Sequence, residues 1–427
     1  MNAEEEVYFK EIYPFPGVPR VRANNPEVKY NLEKAYLTDT TLRDGQQGSR
    51  PFTVKECEEI YELLVDLGGN GAIQSTEVFL YTEKDRVVAR NLMNYGYEYP
   101  KVIAWIRATR EDANLVLNAG IDEAVVLMSI SDYHIKYKFN STRSRVTAKY
   151  LEVADYLLSH GVVVRASLED ITRADVHGAV IPFIKRLLEL SEKYKVPVKI
   201  KLPDTLGLGM PFEDVPLPRS IPRLLRAIRS ETGLEPELVE FHGHNDFGLV
   251  VSNHLAAWMY GAAASNCTLL GIGERAGNCP LEVMAVHLAG IKGENSVNLK
   301  AISRIPSLFS RMGILIPEHY PIVGKNAFKT KAGIHADGLL KNLEVYLPFH
   351  PEEVLGIPFA VEITPYSGRS AVVMWIKRNL GVEVDKNDPR VESIYREVVQ
   401  IFEKNNRVIP LSDEEMREIV KKYFTQV

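Results

Sequence analysis

Short runs rich in β-branched residues alternate with longer stretches of helical periodicity from residue 36 to about 290. Eight such runs can be counted, and parallel strands joined by helices close into a ring at that number. After about residue 295 the alternation stops and short helical patterns separated by loops take over. These three observations predict an α/β fold: a (β/α)8 TIM barrel with a C-terminal, mostly helical appendage.

Taken in order, residues 1–34 carry prolines at 14, 16, 19 and 26 and predict an arm without regular structure. The barrel is assigned to residues 35–295, with strands at 35–41, 72–78, 102–106, 124–128, 162–168, 196–202, 238–244 and 265–270. Helical periodicity is plainest at 54–67, opened by Thr53 as an N-cap, and at 143–159 and 181–193. Residues 296–427 form the helical region, with loops at 316–320 and 348–351 and a charged pattern at 413–422 that reads as a solvated terminal helix. No solenoid repeat or low-complexity tract is present.

The 427 residues are 45% hydrophobic and 25% charged, which excludes a disordered chain. The net charge of -5 comes with no basic block, so neither nucleic acid nor a membrane surface is an expected partner. No apolar run approaches a bilayer span, and the start, MNAEEEVYFK, is acidic where a signal peptide is basic then apolar, so a cytoplasmic location is expected. Cys57, Cys267 and Cys279 are widely spaced and odd in number, which fits neither a disulfide framework nor a CxxC zinc site.

The seventh strand ends FHGHND. Side chains alternate along a strand, so His242 and His244 share a face at the C-terminal mouth, where barrel active sites sit. TLRDG after the first strand brings Arg43 and Asp44 to the same mouth. Two imidazoles and one carboxylate without a thiolate suit Mg2+, Mn2+ or a similar divalent ion with positions left for oxygen ligands. GIGERAGN after the eighth strand adds Asn278 as a neutral oxygen donor, with glycines that serve either a close backbone approach or a tight turn. In the fifth strand, VVVRASLED, Arg165, Ser167 and Glu169 share a face; Arg165 either pairs with Glu169 or binds a substrate carboxylate. Thr205, in LPDTLG, offers a hydroxyl to substrate or caps a turn.

TLRDG, HGHND and GIGERAGN, in that order on those strands, resemble the DRE-TIM metallolyase superfamily, in particular its Claisen-condensing acyltransferases: the 2-isopropylmalate, homocitrate, citramalate and Re-citrate synthases. The resemblance runs over roughly residues 36–380. It implies a metal held by Asp44, His242 and His244 with Asn278 nearby, and acetyl-CoA as co-substrate. The implied substrate-binding set is Arg43, Gln47, Trp105, Arg165, Ser167 and Thr205, with Arg43 polarising the ketone of a 2-oxoacid. AGIHADG resembles the segment, within about 324–345, that enters the neighbouring subunit's mouth, so His335 is implied as a catalytic group with Glu169 and Glu274, and a homodimer follows. Arg165 and Ser167 match the positions where homocitrate synthases hold a distal carboxylate, while Trp105 replaces their histidine and shortens the pocket. GAIQSTEVFLYTEKDR, SISDYHI and LEDITRAD are most similar to the Re-citrate synthase branch, which points to oxaloacetate. The chain ends about where the catalytic part of the family ends, so no inhibition by leucine is expected. Competing readings are a 3-hydroxyacyl-CoA lyase, for which Cys279 in GNCP speaks, a biotin-dependent carboxyltransferase, and a non-catalytic barrel homologue.

Overall fold

The computed structural model describes residues 6–68 and 71–424. The chain divides into two compact units, one from Val21 to Ala301 and one that joins the N-terminal residues through Arg20 with Ile302 onward. In the first, eight parallel strands close a barrel in chain order: β1 (Tyr36–Asp39), β2 (Ile73–Val78), β3 (Lys101–Arg107), β4 (Glu123–Leu127), β5 (Val163–Ser167), β6 (Val198–Asp204), β7 (Val239–Gly243) and β8 (Ala264–Cys267), with β8 paired to β1. Helices Val54–Gly68, Arg143–Ser159 and Ile181–Tyr194 lie where the periodicity placed them. β8 stops short of the expected residue 270 because Leu269–Gly271 makes a tight turn in which Leu270 takes φ 58°. Among the described residues no helix is long and apolar enough to cross a membrane.

The N-terminal arm is not wholly irregular. Asn25 accepts the Glu27 amide at 2.9 Å and Pro26 occupies the first turn, where its missing N–H costs nothing, so helix Pro26–Lys34 forms. Asn31 anchors it by donating to the Met259 carbonyl at 2.9 Å. In the second unit, helix Asp413–Lys421 has a Ser412/Glu415 capping box and buries Met416, Ile419 and Val420. The charged pattern therefore describes one face of a packed helix rather than a fully solvated one.

The barrel lumen is lined by charges. Glu123 accepts from Arg165 Nε at 2.9 Å and from Lys199 at 2.8 Å, and Arg165 also pairs with Glu240. Lys201 lies 3.3 Å from Glu240, pairs with Glu77 and donates to Asn266 Oδ1 at 2.8 Å. Three carboxylates thus meet three cations, all of them buried except the partly exposed Lys199, so the ladder as a whole adds no net charge. Burial alone would raise the Glu77 carboxyl, but Lys201 and Arg43 outweigh it and hold the group at about 2. Arg165 is 2% exposed and near Ser75 and Tyr36, at the depth that serves stability in this architecture. Replacing it leaves three carboxylates facing two cations, Lys199 and Lys201. Arg165→Met is expected to lower unfolding free energy by about 3–5 kcal/mol in urea titrations. Unchanged stability would remove the ladder from the folding energetics.

Candidate active site

At the C-terminal mouth, residues 41–45 turn through a wide helical loop that aims Asp44 across the barrel. Its Oδ2 lies 3.6 Å from His242 Nε2 and 3.8 Å from His244 Nε2, and one donor atom of each residue falls within 4.8 Å of the others. Donors each about 2.1 Å from a shared ion sit about 3–3.4 Å apart, so small side-chain movements would bring the three onto one cation. His242 Nδ1 faces Asn266 Oδ1 at 2.8 Å; donating there fixes the tautomer that leaves the Nε2 lone pair free. Burial lowers the pKa of both imidazoles, against the pull of Asp44 on His244, which keeps them neutral ligands. Asn278 Nδ2 donates to Asp44 Oδ2 at 2.7 Å, while its own Oδ1 is buried without a partner and available to a cation or its water. Two imidazoles, a carboxylate and an unpartnered amide oxygen fit a divalent ion.

The glycines beside this set serve close approach. A Cβ on Gly273 would stand 2.2 Å from Asn278 Nδ2, and one on Gly48 would strike the Gly273 backbone. Both residues let the loops after β1 and β8 meet over the ligands.

Arg43 is nearly buried, with Nε 3.1 Å from Glu77 and Nη1 3.4 Å from Asp44, and its guanidinium lies 5.3 Å from the Trp105 ring centroid. Phe79 packs edge-on against the same indole. The cation is held at the metal ligands by two carboxylates, one of them Asp44 itself, and one aromatic face, where a substrate ketone could meet it.

The loops after β5 and β6 revise several expectations. Glu169 is not the partner of Arg165, which is committed to Glu123 and Glu240; the reading of Arg165 as a substrate clamp is corrected on that ground. Glu169 instead accepts from Lys138 at 2.8 Å, meets His134 Nδ1 at 3.1 Å and bonds Ser129. Despite burial, these contacts hold its carboxyl at about 2, so it is a fixed anion and no proton donor at neutral pH. Thr205 Oγ1 accepts the Asp170 amide at 2.8 Å, the turn-capping alternative. Ser167 is buried at the end of β5, and Gln47 and Glu274 are exposed. Arg275, beside Glu274, is tied to Asp246 at 2.8 Å. His335 belongs to the second unit, on helix Gly333–Lys341 rather than in a loop, with its ring 4.3 Å from that of Tyr346. Cys279 is fully buried, which removes the feature that spoke for a lyase.

Residues not singled out from the sequence, namely Glu77, Lys201, Asn266, His134 and Lys138, hold those that were. Glu77 and Lys201 had a legible signal, a polar residue two positions from another in a strand, Ser75 in β2 and Lys199 in β6. His134 and Lys138 lie on a loop turn with no periodicity to mark them.

A family model described as HMGL-like matches residues 34–309, and one described as homocitrate synthase post-HMGL domain-like matches residues 322–406. The chain is 41% identical to a citrate (Re)-synthase of Clostridium kluyveri, covering 100% of this chain and 96% of the relative. It is 39% identical to a citrate (Re)-synthase of Syntrophus aciditrophicus over 100% of this chain and 69% of that one. A 2-phosphinomethylmalate synthase of Streptomyces hygroscopicus is 36% identical over 99% and 98% of the two chains. Among solved structures, hydroxymethylglutaryl-CoA lyase from Pseudomonas aeruginosa superposes with a TM-score of 0.53 at 17% identity, over 65% of this chain and 92% of that chain, a likeness of fold. With a family model matching well over half of its length and synthase relatives above 30% identity along nearly all of it, the chain belongs to the HMGL-like family.

Proposed function

We propose that this protein is an acyltransferase that condenses acetyl-CoA with a 2-oxoacid, oxaloacetate before others, giving citrate and CoA. The observation that carries the reading is the Asp44, His242 and His244 triangle with the Arg43 cation beside it, in a chain similar to citrate (Re)-synthases along its whole length. A divalent ion of the Mn2+ or Mg2+ class held by that triangle would supply Lewis acidity for a ketone and for negative charge developing on it.

Arg43 places a second positive charge at the ketone oxygen, held ready by Glu77 and Trp105 and so needing no reorganisation. A base removes a methyl proton from the thioester; the resulting carbon nucleophile attacks the ketone carbon, the ketone oxygen takes up a proton, and water cleaves the thioester to release CoA. His335, supplied by a second subunit of a homodimer, serves in this proton traffic, with Glu274 orienting it and Glu169 fixing Lys138 and the His134 ring. Arg165 is engaged elsewhere, so the Lys138 cation and the His134 ring, on the β4 loop beside Glu169, are the groups that a distal carboxylate could meet. Trp105 beside Arg43 favours a short dicarboxylic oxoacid over a long one. Gln47, Ser167 and Thr205 complete the proposed pocket wall. The protein acts on small molecules in the cytoplasm.

The reading is tested by CoA release from acetyl-CoA with oxaloacetate, 2-oxoglutarate, 2-oxoisovalerate and pyruvate in parallel. Oxaloacetate is expected to give the highest kcat/KM, and a chelator should abolish turnover until Mn2+ or Mg2+ is restored. Preference for 2-oxoisovalerate or 2-oxoglutarate would move the protein to the 2-isopropylmalate or homocitrate synthase activity. Asn266→Ala, which frees the His242 ring, is expected to weaken metal binding by about 10–100-fold, read by calorimetric titration with Mn2+. Equal affinity would mean that Asn266 does not orient the ligand. Mixing two inactive variants, Asp44→Asn and His335→Ala, should restore about a quarter of wild-type activity through hybrid dimers with one intact site of two. No recovery in demonstrated hybrids would place His335 in the service of its own subunit.

A further inference from the structure

Behind β8, on the side away from the lumen, His254, Cys267 and Cys279 each bring one ligand atom within 4.8 Å of the others. All three side chains are fully buried. Ser265 Oγ lies among them, 2.6 Å from His254 Nδ1 and 3.2 Å from Cys267 Sγ, while His254 Nε2 has no hydrogen-bond partner. The residues come from helix Val250–Tyr260, from β8 and from the loop that follows it, a combination that no CxxC spacing would reveal. Nothing in the proposed condensation uses them.

We propose that His254, Cys267 and Cys279 form a second cation site, for a thiophilic ion of the Zn2+ class, distinct from the hard-ligand site at the barrel mouth. Three physical arguments support it. Two thiolates and a neutral imidazole are a common donor set for Zn2+, and in a tetrahedral site with Zn–S near 2.3 Å the sulfurs stand about 3.7 Å apart, so the required contraction is at most about an ångström. Loading releases the two thiol protons, and the resulting ion with two thiolates is electrically neutral, as a dry interior demands. Each ligand also adjoins a residue of the mouth. Cys267 follows Asn266, which fixes His242, and Cys279 follows Asn278, which bonds Asp44. His254 Nε2 lies 3.3 Å from where a Cβ on Gly243, between the two mouth histidines, would stand. An ion here would join the backs of segments that position the mouth ligands, beside Asn266, Asn278 and Gly243.

The test uses Co2+ alone as the probe, taken up by full-length protein during expression in cobalt-supplemented medium, because a fully buried site must be loaded as the chain folds. Thiolate ligation gives Co2+ an intense near-ultraviolet charge-transfer band that oxygen and nitrogen ligands do not. The expected result is that band, metal in excess of one ion per chain, and retention of the band in Asp44→Asn, which disables the mouth. Cys279→Ser should lose the band, and Cys57→Ser should keep it. Folded wild-type protein that binds cobalt without the band overturns the proposal, as does a band that survives Cys279→Ser. Should Cys279→Ser fail to fold, Cys267→Ser serves in its place and the wild-type spectrum still decides. Since the readout is a spectrum and not turnover, failure of the condensation reading would leave this test intact.

Discussion

The structure depends on compensation of charge inside the barrel. A lumen lined by Glu77, Glu123 and Glu240 would not close on its own, because each buried carboxylate costs several kcal/mol of lost hydration unless a cation stands against it. Arg165, Lys199 and Lys201 supply those cations, and the amide of Asn266 joins the ladder to His242. The same network that holds the strands in register therefore ends on a ligand of the candidate metal centre. Folding and the geometry of that centre are one problem, and replacement of a ladder residue acts on both.

Much of the architecture was legible because it follows from periodicity. Alternation of strand and helix patterns gave eight strands to within a few residues, and the two-residue repeat in FHGHND was enough to put His242 and His244 on one face. Asp44 followed from the closure of the ring. What could not be read was which partner each charge takes. Arg165 shares a strand face with Glu169, which made a pairing or a substrate clamp the available choices, yet its partners sit on β4 and β7. Cross-strand pairing in a closed barrel depends on stagger, and no pattern within a single strand encodes it. For the same reason the partner that Thr205 takes, the Asp170 amide, could not be read from its own strand.

The loops show the other limit. Helix Pro26–Lys34 has a cap, a first-turn proline and a charged last turn, local signals that outweigh the prolines around it. His134 and Lys138 belong to a turn with no repeat at all, and their importance comes from a carboxylate on the next strand's loop. Glu169 has the sequence context of an acid–base group, but three donors converge on it and turn it into a permanent anion. A residue type proposes a role; the neighbours decide whether its proton is available.

The balance of charge around the mouth has a consequence for how the site fills. Arg43 stands against Asp44 and Glu77, and the glutamates of the ladder stand against its own cations, so these residues leave no spare negative charge to neutralise a doubly charged ion. An incoming dianion such as oxaloacetate would supply that missing charge itself. Ion and oxoacid then favour each other's retention, and by linkage each should raise the affinity for the other by the same factor. Electroneutrality, reached only when both are present, gives the site an order of assembly that no single side chain dictates.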